Sequence, residues 1–232
     1  MIGLGGGLVF SPLFILLDMP KDQAVAASLF LNGIAAASAA IIYLRKRMID
    51  FSAALPLLIA STLSAPVGAW ATHGVRTEMF VTVLAVIIFL AALRMIFSRK
   101  IKESPAGINT ARRIGGGLVI GAAIGFLGGM LGIGGGVFIV PLMIFVLRTP
   151  TKTAAASSIF IVCFSSASGF ITHATLTRLD WSFLVPAALC AILAGQLGSR
   201  LMSERLKGET IRIMFGVVLI LLSLKLISRA LS

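Results

Sequence analysis

The run Gly132-Ile133-Gly134-Gly135-Gly136-Val137-Phe138-Ile139-Val140-Pro141 lies inside 34 uncharged residues, Ile114 to Leu147. One unbroken helix of that length would measure about 51 Å, against about 30 Å for a bilayer core. Three successive glycines in a helix cost roughly 3 kcal/mol relative to alanine. The stretch therefore reads as two shorter helices meeting at a glycine-rich break. Bare backbone at membrane depth is tolerated only where protein covers it or a wet cavity is lined by it. The N–H groups opening the second helix would then face inward at a positive dipole end, an arrangement that attracts an anion.

The same phrase opens the chain, as Gly3-Leu4-Gly5-Gly6-Gly7-Leu8-Val9-Phe10-Ser11-Pro12. Its glycines and Pro12 match those of the second run at an offset of 129. Past a one-residue insertion the offset is 130, pairing Pro20 with Pro150, Ser28 with Ser158, Asp50 with Asp180, Pro56 with Pro186 and Gly68 with Gly198. The chain reads as an internal duplication: residues 1–98, a basic cytoplasmic linker over 99–113, and residues 114–232. Many secondary transporters are built this way around a midplane site. The second half opens with an 18-residue apolar segment, Ile114 to Leu131, that has no counterpart before Gly3. The expectation is that an equivalent helix precedes Met1 in the natural protein, or that something else covers Gly5 to Gly7.

Hydrophobic residues make up 58% of the chain and charged residues 12%. Soluble domains carry about 45–50% and about 25%. The fold class expected is all-α, a polytopic membrane protein of about seven or eight hydrophobic segments with glycine-broken helices. The net charge of +12 would suit nucleic acid, but the basic residues fall in short loops between apolar runs. Cytoplasmic loops explain them better, so no nucleic-acid partner is expected. Arg45-Lys46-Arg47 and the linker are the densest basic turns. If each glycine-broken element crosses the membrane, the halves are parallel; if each dips in and returns, they are inverted. The inverted arrangement puts more Lys and Arg inside and is favoured, although Ile114–Leu131 is long enough to span alone. Tyr43, Trp70 and Trp181 fall near segment ends, as interfacial aromatics do.

All eight acidic residues lie in loops or at segment ends. Cation-coupled pumps usually carry ionisable groups within the membrane, so a carboxylate relay is disfavoured and the membrane potential is the expected driving force. What remains for a site are neutral donors. The candidates are the backbone of Gly5, Gly6, Gly7, Gly134, Gly135 and Gly136, Pro12 and Pro141 of the same elements, and Ser28, Asn32, Ser157 and Ser158. Ser165 and Ser168 belong to the same class. A serine in a span often bonds only its own helix, whereas the Asn32 amide needs partners. His73 and His173, near segment ends, read as solvated or interfacial. Cys163 and Cys190 read as packing residues. No catalytic triad, nucleotide motif or metal-ligand spacing is present, so neither enzyme, cofactor nor metal is expected.

Two copies of GxGGGxxxxP, each followed by an Ala/Ser-rich span, resemble the TauE/SafE sulfite exporter family of membrane permeases, over nearly the whole chain. The resemblance implies transport of sulfur-containing anions, such as sulfite, sulfoacetate or other organosulfonates. It also implies a multi-pass protein of the bacterial or archaeal cytoplasmic membrane. The partners expected are a small anion and the lipid bilayer, with a homo-oligomer left open. A passive anion channel and a non-transporting membrane scaffold are the alternatives.

Overall fold

The computed structural model describes residues 6–97, 110–145 and 149–204, with isolated positions from 217 to 228. Among the described residues there are eight helices and no strand. They are α1 (Gly7–Leu16), α2 (Lys21–Arg45), α3 (Phe51–Gly74), α4 (Thr77–Phe97), α5 (Thr110–Leu131), α6 (Gly136–Phe145), α7 (Thr151–Leu176) and α8 (Trp181–Glu204). Five of them, α2, α3, α5, α7 and α8, contain apolar stretches long enough to cross a membrane. Gly5 lies outside the described residues.

The helix starts follow from local chemistry. Pro20 and Pro150 precede α2 and α7 with nearly the same backbone, φ −52° and ψ 139° against φ −55° and ψ 142°. Their carbonyls accept the first helical bonds, from Ala24 and Ala154. Asp50 caps α3, its carboxylate accepting from the Ser52 and Ala53 N–H groups at 3.1 and 3.2 Å. Asp180 does the same for α8 through Ser182 N–H at 3.0 Å. A carboxylate at this position also complements the positive end of the helix. The hydroxyl and amide of Ser182 hold the Asp180 carboxyl below its ordinary range.

The long helices have readable directions. Lys21, opening α2, donates to the Thr72 carbonyl at the end of α3, so α2 and α3 are antiparallel. Along α3 and α7 the contacts advance together: Asp50 N–H donates to Ser157 Oγ, Ser168 Oγ donates to the Thr62 carbonyl, and the His73 ring lies tilted against that of His173. Those two helices are parallel, which leaves α2 and α7 antiparallel. Phe30 against Phe170 and Asn32 against Ser166 fit that crossing. Ser38 Oγ donates to the Ile192 carbonyl of α8 at 2.9 Å, and Ser168 Oγ to the Thr62 carbonyl of α3 at 2.8 Å. Both members of the first bond lie 130 positions from their equivalents in the second, with the helices exchanged.

Helix α5 runs beside α3 in the same direction. Gly117 faces Pro56 and Leu57, Gly121 faces Leu57 and Ala60, Gly125 faces Ser61, and Gly129 faces Ala65. Glycine at every fourth position forms one ridge, and it lets the two backbones touch. After the break, α6 returns toward the face from which α5 came, and Ile139 and Met143 pack with Tyr43 and Ile49. The α5–α6 element thus enters and leaves at one end of the bundle. That end also carries the exposed Arg45-Lys46-Arg47 turn.

One expectation from sequence changes. Tyr43 is buried, 1% exposed, within the α2–α3–α7 core rather than at an outer interface, while Trp70 and Trp181 face outward. Helix α3 is continuous across Pro56 and Pro66. Cys163 and Cys190 are free thiols.

The glycine ridge yields a test. A Cβ on Gly121 would lie 2.8 Å from the Leu57 carbonyl oxygen, with backbone and not a flexible side chain in the way. Gly121→Val should destabilise the purified protein by about 1–3 kcal/mol through overpacking, read as a lower melting temperature in detergent. Gly115→Ala has nothing within 4 Å of the new carbon and should melt at or above the parent temperature, since alanine is the better helix former. Equal melting of both variants would contradict the packing described.

Candidate functional site

The centre of the molecule is where the two glycine phrases meet. Helix α5 ends in a glycine cap: Ile133 N–H donates to the Gly128 carbonyl at 3.1 Å across Gly132, whose φ is +74°. A left-handed residue just after the helix end is the geometry that glycine adopts without penalty. Gly134 and Gly135 continue with φ of +69° and +78°, and α6 then starts at Gly136. In the other phrase, Gly6 caps α1, its carbonyl accepting from Val9 and Phe10 N–H. The two segments are in direct contact: a Cβ on Gly7 would lie 2.6 Å from the Ile133 carbonyl oxygen. The N-termini of α1 and α6 therefore converge, and the helices diverge toward opposite ends of the bundle.

Side chains of α2 and α7 satisfy this irregular backbone from both sides. Ser28 Oγ donates to the Gly132 carbonyl at 2.7 Å and lies 3.5 Å from that of Gly7. Asn32 spans the crossing. Its Oδ1 accepts from Gly7 N–H at 3.0 Å, and its Nδ2 donates to Ser166 Oγ at 2.9 Å and to the Ile133 carbonyl at 3.3 Å. Ser165 Oγ donates to the Gly134 carbonyl, Ser158 Oγ to that of Gly136, and Ser11 Oγ to that of Leu131. Ser11, Ser28, Asn32, Ser158, Ser165 and Ser166 are all buried. Buried polar groups of this kind are expensive to leave unpaired.

Of the candidate residues, Gly6, Gly7, Ser28, Asn32, Gly134, Gly135, Gly136 and Ser158 are brought together at this crossing. Pro12 is buried within α1. Pro141 lies in α6, with its side chain outside the described set. Ser157 is elsewhere: its hydroxyl receives Asp50 N–H at the start of α3. Ser11 and Ser166 are contributors that sequence reasoning did not single out. The signal for Ser166 was present in its place two turns after Ser158 on one helix.

The expected row of free N–H groups is only partly there. Gly7 N–H is taken by Asn32, and Gly134 N–H by the Gly128 carbonyl at 3.2 Å. At the position 130 residues after Asn32 stands Val162, which has no acceptor to offer. Among the described residues no hydrogen bond takes up the N–H of Gly135 or Gly136. Serine and asparagine donors occupy several of the surrounding carbonyls, and no carboxylate is among the groups that hold the two breaks. What the crossing offers a ligand is donor N–H and converging positive helix ends, which suit an anion and not a cation. No cluster of metal-ligating side chains occurs among the described residues.

Asn32→Ala would leave Gly7 N–H and the Ser166 hydroxyl short of a partner. Each unsatisfied buried group costs about 1–3 kcal/mol, so the variant should melt well below the parent. Asn32→Gln, with the same groups on a longer stem, should also lose stability. A parental melting temperature for Asn32→Ala would show that the amide does not hold the crossing.

Comparison with known proteins supplies the family. The family model described as sulfite exporter TauE/SafE matches residues 1–226. A Bacillus subtilis protein described as probable membrane transporter protein YunE is 28% identical over 250 aligned positions, covering 98% of this chain and 91% of its own length. A Sinorhizobium fredii protein, probable membrane transporter protein y4hK, is also 28% identical, over 94% of this chain and 84% of its own. No solved structure gives a significant match. With a family model covering nearly its whole length and apolar helices that can cross a bilayer, this chain belongs to the TauE/SafE family of multi-pass membrane transporters.

Proposed function

We propose that the protein is a secondary permease for small anions, sulfite or organosulfonates, that exports them across the cytoplasmic membrane of a bacterium or archaeon. The observation that carries this reading is the convergence of the α1 and α6 N-termini at the glycine crossing between antiparallel α2 and α7. Discontinuous helices aimed at a midplane ligand are a common device of secondary transporters. The printed family description, sulfite exporter, points to the same substrate class.

We read the chain as two inverted halves. The exchanged Ser38–Ile192 and Ser168–Thr62 bonds and the opposed directions of α2 and α7 support this. In that reading the end bearing Arg45-Lys46-Arg47 and the 99–113 linker is cytoplasmic, because short basic loops stay inside. The Lys21–His73 end is then external. Alternating access would expose the crossing first to one end and then to the other.

Purified protein in liposomes should move sulfite with a rate that saturates, and trans sulfite should drive counterflow. A channel would give flux without saturation, and a scaffold no flux at all; either outcome defeats the proposal. Gly135→Val, strained at φ +78° and aimed at Ile124, should reduce flux at least about tenfold, equivalent to 1.4 kcal/mol or more on the limiting barrier, in protein that still inserts. Unchanged flux would remove the crossing from the transport path.

A further inference from the structure

Outside the glycine crossing, one group of titratable side chains is brought together that the sequence scatters across 152 positions, from Asp22 to His173. Asp22 lies in the first turn of α2, His73 in the last turn of α3 and His173 in the last turns of α7. His73 Nδ1 is 3.4 Å from Asp22 Oδ2. The two imidazole rings are 5.7 Å apart between centroids. They are the only histidines in the chain.

The burial is graded. The side chains of His73 and Asp22 are 30% and 33% exposed, whereas His173 is 0% exposed. Both ring nitrogens of His173 lack a hydrogen-bond partner, as do Asp22 Oδ1 and, one turn beyond His173, Thr177 Oγ1. The Gly129 backbone lies close to the His173 ring without meeting hydrogen-bond geometry. A neutral imidazole must carry one N–H, and burying it unpaired is costly. The charges facing His173 are His73 from α3 and Asp22 from α2. Lys21, beside Asp22, is turned away onto the Thr72 and Val75 carbonyls. Helix α5 brings no titratable residue between Ile114 and Leu131. Arg76 and Arg178, in the turns after α3 and α7, are exposed.

We infer that Asp22, His73 and His173 form a proton-binding site that holds one proton between the two rings, and that its occupancy is coupled to anion movement at the glycine crossing. The site needs no partner beyond water and its own carboxylate. The proton arrives from solvent at the half-open Asp22–His73 pair, and the sealed His173 ring faces it as the neutral partner. With Asp22 ionised, one added proton leaves the cluster neutral; a second would place two imidazolium rings side by side against a single carboxylate. The coupling inference rests on the permease reading; the proton site itself does not.

The mechanical connection is short. His173 lies seven residues, about 10 Å of helix, from Ser166, which holds Asn32. Thr72, next to His73, donates to the Met130 carbonyl at 2.9 Å, two residues before the Gly132 turn. Asp22 stands six residues, about 9 Å of helix, before Ser28 on α2. A change in charge that draws α2, α3 and α7 together at this end therefore acts on all three supports of the break. It also alters the expectation of drive by membrane potential alone, because a proton bound and released per cycle links flux to the pH gradient.

Having only two histidines makes the test direct. Protein labelled with ¹⁵N-histidine, in nanodiscs, is titrated by NMR from about pH 5 to about pH 9, the range in which histidine charge changes. The two rings should titrate as a coupled pair, and His73→Gln should move the titration of His173 by about one pH unit. Asp22→Asn should shift both rings. Two rings that titrate independently, or a His173 signal indifferent to both substitutions, would overturn the proton site. Should His73→Gln fail to fold, the parent curve alone decides, through one or two resolved steps.

Coupling is read separately with methanesulfonate, an anion whose own charge is constant in this range. Parent flux should change by up to about tenfold per pH unit on the limiting side, as a one-proton requirement dictates. His173→Gln should flatten that profile while counterflow persists. PH-independent parent flux would overturn the coupling. Absence of any anion flux would defeat the permease reading and the coupling with it, while the NMR titration still decides the proton site.

Discussion

The structure depends on keeping peptide groups paired where no water is at hand. A helix does this internally, but the crossing of two glycine breaks cannot. Its carbonyls and N–H groups point in directions set by positive φ at Gly132, Gly134 and Gly135. Five small polar side chains, from α1, α2 and α7, supply the missing bonds, and Ser166 holds one of them, Asn32. Serine and asparagine suit the task because they are short enough to sit beside backbone and neutral enough to be buried. The abundance of alanine, serine and glycine in α2 and α7 follows from the same need. Only small residues let two long helices close on the irregular segment from both sides.

That packing also sets directions. With α2 and α7 antiparallel, a half-helix anchored on one must leave toward the end opposite to its counterpart on the other. The α1 and α6 helices do so, and their N-termini are left facing each other. Convergence of two positive helix ends is unfavourable unless something negative is placed there. Among the described residues, no carboxylate is among the groups that hold the crossing. An anionic ligand would stabilise such an arrangement where a cation would not, which is the physical ground of the permease proposal. The proposed proton site at the far end of α3 and α7 would change charge by one unit with each proton taken up or released.

Much of this was legible in the residues. The glycine phrase, its repetition at one offset and the uncharged stretch around it were enough for a polytopic helical protein with a broken element. Proline at 20 and 150 and aspartate at 50 and 180, paired in the sequence only as repeat positions, stand at helix starts in the structure. Contacts between segments were not legible. Asp22, His73 and His173 are unremarkable as isolated residues near helix ends, and nothing in their spacing says that three helices bring them together. Tyr43 looked interfacial for the same reason, since position along a helix says nothing about which face is covered. Ser157 and Ser158 are adjacent and alike in sequence, yet successive residues on a helix point about 100° apart. One reaches the crossing and the other the start of α3.

The departures from equivalence between the halves bear most on mechanism. Ser28 and Ser158 make matching bonds to Gly7 and Gly136, and the outer helices exchange matching serine bonds. At the next turn the match ends. Asn32 caps Gly7, while Val162 leaves Gly136 uncapped on its side of the crossing. A pair of equal sites would bind a ligand equally from either half and give no preferred direction of approach. With Asn32 on one side only, Gly7 N–H of α1 is already taken, while the equivalent N–H of α6 is left to spare. The histidine pair is unequal in the same sense: His173 is sealed and His73 open to solvent. In the inverted-repeat reading proposed above, these differences at a few positions decide which groups are free on each side of the crossing.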